Sequence, residues 1–428
     1  MKLFKLLAPL YCSVAISPSP MQVLQMVNGK IYNPVEIEEI DSVTFDIQND
    51  FMRIHKVNRE IFGYQDTSSF ALGERIPLIE IVTKDYKKEI TSKTDYSEGF
   101  FSLEGLGKFE NVEQVVNIRG RGNSSWYFTK KPYRLKFKKK VSLLGLPASK
   151  NYVLLANYTD CSLMQNALAF KIGEMLQLPF TNRAEPVDVN FNGLYKGSYI
   201  LTNKPGINAG SVDIDEENSI MWELDEYFDE ELKFKSPLLG LPVMVADPDL
   251  DDEGFKYWKN DFVQMEKAVY EGRAGEFIDL DIAARYLAVY EILKNDEVGY
   301  PKSFKMFKTK GSKYILGPIW DFDIAMGKVW LGECYTREGI DDEVWKNSLI
   351  YYLSLDANFQ ISYRKHLNFI IDRIPELLVW IDNYAARIRE SALRNRSLYP
   401  EYEDFDESVV RLKSWLIRRG EARKRIMN

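Results

Sequence analysis

YILGPIWDFDIAMG (residues 314–327) sets both the fold class and the chemistry expected of this chain. A β-like apolar run, Tyr314-Ile315-Leu316, passes through Gly317-Pro318 to Ile319-Trp320. Two carboxylates follow, Asp321 and Asp323, with Phe322 between them. Asp-x-Asp at a strand end brings like charges together, and they resist joint ionisation unless a cation lies between them. Hard divalent ions take this oxygen-rich, partly open arrangement. An isolated pair of this kind is usually a solvated turn. Here Trp320, Phe322 and Ile324 place it beside a core, where a carboxylate needs a partner.

Working outward, the preceding segment ends an amphipathic helix, expected over 282–294 and capped by Asp281, in the acidic cluster Asn295-Asp296-Glu297. A strand over 304–308 and a turn at Lys310-Gly311-Ser312 bring the chain back, so the acidic helix end lies near Asp321. Further upstream, IRGRGNSSWYFTKKPYRLKFKKK (118–140) is the basic counterpart. Tyr133, Leu135 and Phe137 alternate with Arg134, Lys136 and Lys138, which gives a strand with one buried and one cationic face. An edge strand guarded by lysines has the same pattern. With Gly120 and Gly122 admitting unusual backbone angles and Asn123-Ser124-Ser125 supplying donors, the stretch also suits a phosphate cradle that includes Arg119 and Arg121.

At 428 residues the chain is long enough for two or three domains, or for one large two-lobed one. Its composition is that of a globular protein, and a net charge of −7 argues against a nucleic-acid platform. Only His55 and His366 are present, so acid–base chemistry rests on carboxylates or lysines. Cys12, Cys161 and Cys334 are odd in number and widely spaced, which predicts no disulfide framework and no zinc site. Lys2 and Lys5 precede a short apolar run ending at Ser17-Pro18, the pattern of an export signal. Cys12 after Leu10-Tyr11 half resembles a lipoprotein box, and no later stretch is long and apolar enough for a membrane span.

The order of elements is β-rich and then helix-rich. Residues 21–70 read as a small β appendage with a turn at Asn28-Gly29, and a hairpin is expected at Asn192-Gly193. Strands are expected over 76–83, 93–102, 112–119, 151–157 and 219–224, the last carrying Glu223. One helix is expected over 163–178, capped by Asp160 or Ser162. More follow over 255–269, 344–353, 358–393 with a break at Pro375, and 405–423. The fold class is α+β: a β-rich lobe of about 71–225, a helical lobe of about 250–428, and a cleft with cations on one side and acids on the other.

RGRGNSSWYFTKKPYRLKF, LLANYTDCSLMQNALAFKIG, NGLYKGSYILT and NDEVGYPKSFKMFK…GPIWDFDIAMG together resemble the CotH kinases, the spore-coat protein H-like family, in the family's order. The resemblance implies an atypical two-lobed protein-kinase-like fold, ATP with Mg²⁺ or Mn²⁺, and phosphoryl transfer to Ser or Thr of an exported or surface protein. The DSVTF ending of the appendage is similar to leader segments of exported Bacteroidetes proteins. Asp321 and Asp323 match the family's metal-binding pair, and Glu297, beside Asp296, falls at its catalytic acidic position. Arg134 and Lys136 match its phosphate-facing cations, and Asn166 the asparagine of its R-N-A-L motif. Gln165, Glu297 and Asn203 stand where the family has Arg, Asp and Glu. The expected site is therefore catalytic Asp296, Glu297 and Asp321; nucleotide-binding Arg119, Arg121, Arg134, Lys136, Asn166 and Glu223; and metal-binding Asp321 and Asp323. Against this stands a non-catalytic surface module binding protein or glycan. Glycoside hydrolysis by paired carboxylates is a third alternative, but Asp321 and Asp323 are too near in sequence for it.

Removing residues 1–20 is expected to leave the rest of the chain soluble and cooperatively folded, as checked by expression and thermal unfolding of the shortened protein.

Overall fold

The computed structural model describes residues 76–427 except 87–88, 329–332, 338, 345 and 402, together with the backbone of six strands between Met21 and Glu74. The leader expected at 1–20 and the turn at Asn28-Gly29 lie outside the described residues. Strands β1 (Met21–Val27), β2 (Lys30–Glu36) and β6 (Phe70–Glu74) form one small sheet. A second contains β3 (Ile40–Asp46), β4 (Phe51–Lys56) and β5 (Ile61–Gln65).

Seven strands then close into a barrel. They are β7 (Leu78–Thr83), β8 (Ser97–Leu103), β9 (Val112–Gly120), β10 (Tyr133–Val141), β11 (Ser149–Leu155), β12 (Glu185–Phe191) and β13 (Leu194–Asn203), in the order β10-β11-β13-β12-β7-β8-β9. Period-two alternation puts one apolar set inside each strand: Ile79 and Ile81, Phe101 and Leu103, Tyr133, Leu135 and Phe137, Val187 and Val189 are all buried. The barrel shuts where β7 joins β12 in parallel, Ile79 opposite Val189. The expected hairpin forms at Asn192 and Gly193, whose φ values of 49° and 76° are those a two-residue turn requires.

The chain is α+β, but its strands are not confined to the amino-terminal half. A five-stranded sheet, β15-β16-β14-β17-β18, is built from β14 (Ser219–Leu224), β15 (Lys233–Lys235), β16 (Pro242–Asp247), β17 (Phe304–Thr309) and β18 (Ile315–Leu316). Two of these come from beyond the acidic cluster: β17 pairs with β14, and β18 with β17. Apolar strands such as SIMWEL and FKMF need both faces covered. Helices α1 (Gln165–Met175), α2 (Asp252–Tyr270), α3 (Leu280–Ile292), α4 (Ser348–Leu353), α5 (Ala357–Asp372), α6 (Ile374–Leu398) and α7 (Phe405–Met427) supply that cover in one continuous core.

Local chemistry sets the helix ends. Asp251 accepts from Gly254 N–H at 2.8 Å to cap α2. Asp279, and not the expected Asp281, caps α3 through Ile282 N–H at 3.0 Å. Asp281 lies in the first turn and instead pairs with Arg285 at 2.6 Å and His366 at 2.7 Å. Pro375 restarts the helical run within the first turn of α6. The cysteine expectation needs correction as well: Cys161 and Cys334 are joined by a disulfide across 173 residues, a pairing set by tertiary approach and not by local spacing.

The carboxyl-terminal helix is locked to α3 by a buried ionic cluster. Glu291 is fully buried and faces Arg419 at 2.8 Å and Arg423 at 2.9 Å, both also buried. Arg419 donates further to the carbonyls of Glu291, Ile340 and Asp342. Removing one member strands a buried charge. Arg419→Ala is expected to cost about 3–5 kcal/mol in urea unfolding. Arg425→Ala, which breaks an exposed pair with Asp341, is expected to cost about 0–1 kcal/mol.

Candidate functional site

The five-stranded sheet, the second large sheet of the molecule, and the barrel face each other across a cavity of about 610 Å³. Its barrel wall is basic. Arg119 and Arg121 stand at the end of β9, Arg134 opposes Arg119 across β9 and β10, and Lys204 follows β13. Its other wall is acidic: Glu223 on β14, Glu297 beyond α3, and Asp321 and Asp323 after β18.

The Asp321-Phe322-Asp323 segment is held at every residue. Asn166, near the start of α1, donates from its amide nitrogen to the Asp323 carboxylate and accepts from Phe322 N–H at 3.0 Å. Asn295 donates to the Asp321 carbonyl at 2.8 Å, and Thr159 to the Asp323 carbonyl at 3.1 Å. Ser303 donates to the Asp321 carboxylate at 3.4 Å. Asp321 has φ 64°, a left-handed conformation that aspartate tolerates better than most residues. The segment starts at Trp320, whose ring stacks on Phe170 and carries the Arg121 guanidinium 5.5 Å above it. Asp160 holds the approach to α1, accepting from Ser162 N–H at 2.8 Å and Gln165 N–H at 2.7 Å.

The charges are unequally compensated. Burial raises the proton affinity of Asp321, with Arg121 opposing. Asp323 is raised by burial and then by Asp321, and Glu297 likewise by burial and then by Asp321. Arg121 is destabilised by burial and restored by Asp321, Asp323 and Glu223. Lys204 falls to about 8, through burial and the neighbouring Arg134 and Lys305. Buried carboxylates that hold charge poorly, opposite buried cations that do the same, suit a ligand that carries both charges.

The sequence profile of the CotH kinase proteins matches residues 118–423. The chain belongs to the CotH kinase family. No curated protein matches it at a significant level.

In this CotH-family chain Arg119, Arg121, Arg134, Asn166, Glu223, Glu297, Asp321 and Asp323 all line the one cavity. Two residues expected with them do not. Lys136 is exposed, one pleat further along β10 than Arg134, and lies 5.9 Å from the Tyr96 ring. Asp296 turns to Lys294, 2.5 Å away. Gly122 has the expected left-handed φ of 85°. Gly120 serves differently: a Cβ there would strike the Trp126 ring, so it is needed for close approach.

Lys305 is the main residue that sequence reasoning missed. It is buried, ion-paired with Glu223, and opposite it in the β14–β17 register. A lysine and a glutamate each set in an apolar strand were the available signal, since neither is buried without a partner. Asp225 also lies in the lining, accepting from Tyr227 N–H and Ser303 N–H, each at 2.8 Å, and so shapes the loop at the mouth.

A carboxylate whose proton affinity is raised by folding stabilises the folded state fully only below its unfolded value, and that contribution is lost as pH rises through the folded value. With chelator present, the protein is therefore expected to lose stability between about pH 5.5 and about pH 8. Asp321→Asn removes one of the crowded charges and should exceed wild type by on the order of 1 kcal/mol at the upper pH, with the gap closing in acid. Urea unfolding at the two pH values is the check, and a variant less stable than wild type at about pH 8 would refute the charge crowding.

Proposed function

We propose that the cavity is the active site of a metal-dependent phosphotransferase moving the ATP γ-phosphate to a Ser or Thr hydroxyl of an exported or surface protein. One observation carries this: a pair of carboxylates fixed backbone and side chain at Asp321 and Asp323, set directly against Arg121. Phosphoryl transfer needs fixed cations to gather spreading charge and a group to place the acceptor, with little covalent help. The barrel and the second sheet with its helices would then be the two walls of a kinase-like cleft.

The donor set fits a hard divalent ion. Asp321 and Asp323 offer only oxygens, and both hold charge poorly where they stand. Among the described residues no cluster of three or more His, Cys, Asp or Glu side chains is arranged to hold an ion alone. A pair of carboxylates is the kind of protein donor set that Mg²⁺ or Mn²⁺ takes when phosphate oxygens and water complete the shell. When bound, the ion would neutralise charge building on the phosphate oxygens.

The chain's own residues divide the remaining work. Arg119, Arg121 and Arg134 face the phosphates from the barrel, while Glu223 holds Lys305 in place toward the same space. Val153, Leu155, Met221, Met244 and Ala246 line an apolar part of the cavity where a nucleobase would lie. Glu297, its proton affinity lowered where a bound cation offsets the neighbouring Asp321 charge, would accept the proton of the attacking hydroxyl as the new O–P bond forms and the bond to the ADP oxygen breaks. The disulfide supports an oxidising compartment, hence export. Among the described residues no helix is long and apolar enough to cross a membrane.

Calorimetric titration with ATP and Mg²⁺ or Mn²⁺, beside transfer from labelled ATP into the protein itself and into a cell extract, tests this. Glu297→Gln should lower turnover by about 10²–10⁴-fold with nucleotide affinity nearly intact. Arg121→Ala should weaken nucleotide binding by about 1.5–3 kcal/mol, the range for a hydrogen bond to a charged group. Lys136→Ala should leave it unchanged. A folded wild type that binds no nucleotide with either ion would sink the proposal in favour of a surface binding module.

A further inference from the structure

The disulfide between Cys161 and Cys334 stands beside the acidic segment, and the phosphotransferase reading uses it only as a mark of compartment. Its surroundings close a ring on Asp323. Two residues before Cys161, the Thr159 hydroxyl donates to the Asp323 carbonyl at 3.1 Å. Two residues after Cys334, Thr336 donates to the Gly327 carbonyl from its hydroxyl at 2.7 Å and from its N–H at 3.2 Å. The ring therefore runs from Asp323 along the chain to Gly327 and across to Thr336. It returns through Cys334, over the sulfur bridge to Cys161, and through Thr159 to Asp323. Cys161 N–H donates to Cys334 Sγ at 3.4 Å, and the Tyr335 hydroxyl donates to the Asp160 carboxylate at 3.4 Å.

The links of this ring differ in strength. Asp321 and Asp323 are like charges on a buried wall and press apart. The hydrogen bonds that span the two cysteine segments are long, at 3.4 Å, and yield to that pressure; the sulfur bridge is covalent and does not. Both cysteines are buried, Cys161 8% exposed and Cys334 1%. Thiol–disulfide exchange needs direct attack on a sulfur, so the bridge is set while the chain folds and is kept afterwards. In the step that sets it, the two cysteine thiols give up two protons and two electrons to a disulfide of the export compartment, which leaves as two thiols.

We propose that this oxidation is what assembles the acidic wall: the Cys161–Cys334 bond clamps Asp323 against Asp321, and a chain that still carries the two thiols folds but holds the pair loosely. This rests on reading Asp321 and Asp323 as the ion-binding pair of a phosphotransferase, and it gives that enzyme a regulation. In a reducing cytosol the thiols persist and the pair stays lax; on export the bridge forms and the cavity becomes competent for ATP and its ion. The other anchors of the fold do not pass through the bridge. The barrel shuts where β7 meets β12, and α7 is held by Glu291 with Arg419 and Arg423.

The test uses the full chain with Cys12→Ser in every form, so that no third thiol mispairs. Oxidised protein is compared with Cys161→Ser/Cys334→Ser by amide hydrogen exchange well below the unfolding midpoint. The reporters are Phe322 N–H, bonded to the Asn166 side-chain oxygen at 3.0 Å, Ala325 N–H on the Phe322 carbonyl at 3.2 Å, and Met326 N–H on the Leu293 carbonyl at 2.7 Å. They should exchange about tenfold faster or more in the variant, while amides of α3 and the barrel strands change by less than about twofold. Mn²⁺ titration with ATP present, followed by electron paramagnetic resonance, should show affinity about 10–100-fold weaker in the variant. Equal exchange in the two forms overturns the proposal, and so does equal Mn²⁺ affinity. Acceleration by the same factor in α3 overturns it too, because the bridge would then be a general staple of the chain. Oxidised protein that takes no Mn²⁺ sinks the phosphotransferase reading, and the exchange contrast then decides the clamp by itself. Should the serine variant fail to fold, Thr159→Val opens the same ring with the bridge intact; local acceleration in it supports the clamp, and unchanged exchange overturns it.

Discussion

The Asn166 carboxamide is the contact on which the acidic segment depends. One planar group donates to the Asp323 carboxylate from its nitrogen and accepts from Phe322 N–H at its oxygen, both at once. A leucine would do neither, and an aspartate would add a charge to an already crowded wall. Because α1 is packed on Trp320 through Phe170, and its approach is fixed by Asp160, the grip of Asn166 carries the rigidity of the core into the cavity. Thr159 and Asn295 then secure the carbonyls on either side of Phe322.

Around that contact the molecule keeps opposite charges on opposite walls. The barrel supplies guanidinium groups from strand ends whose inner faces are committed to its own core. The second sheet and the end of α3 supply the carboxylates. Each wall is a concentration of like charge that burial penalises. Set against each other they are partly compensated: Arg121 faces Asp321, Asp323 and Glu223, and Lys305 pairs with Glu223.

Much of this is legible in the chain itself, and the limits are physical. The alternation in YRLKFKKK identifies the inner face of β10 because a barrel has a single interior and side chains repeat every two residues. It does not say how far along the strand the cavity reaches, which is why Arg134 lines it and Lys136 does not. Asn192-Gly193 specifies its hairpin because both positions need positive φ. The Asp-x-Asp pair, Arg121 and Asn166 lie within short motifs and are found there. What stays hidden is pairing over distance: Cys161 with Cys334, Lys305 with Glu223, and β7 with β12 in parallel. Asp279 and Asp281 are equally good caps by composition, and only the packing of α5, which brings His366 to Asp281, separates them.

The buried cluster of Glu291 with Arg419 and Arg423 also bears on the order of events during synthesis. Glu291 stands four residues before Asn295, on the helix that delivers Glu297 to the cavity. Its counter-charges are carried by the last helix of the chain. A nascent polypeptide that has emerged only as far as the acidic segment already owns every cavity residue named above, yet holds Glu291 buried without its arginines. The ionic cluster that anchors α3 is therefore complete only when α7 is in place. A chain interrupted before Phe405 would carry the motifs of the family but leave Glu291 without its two arginines.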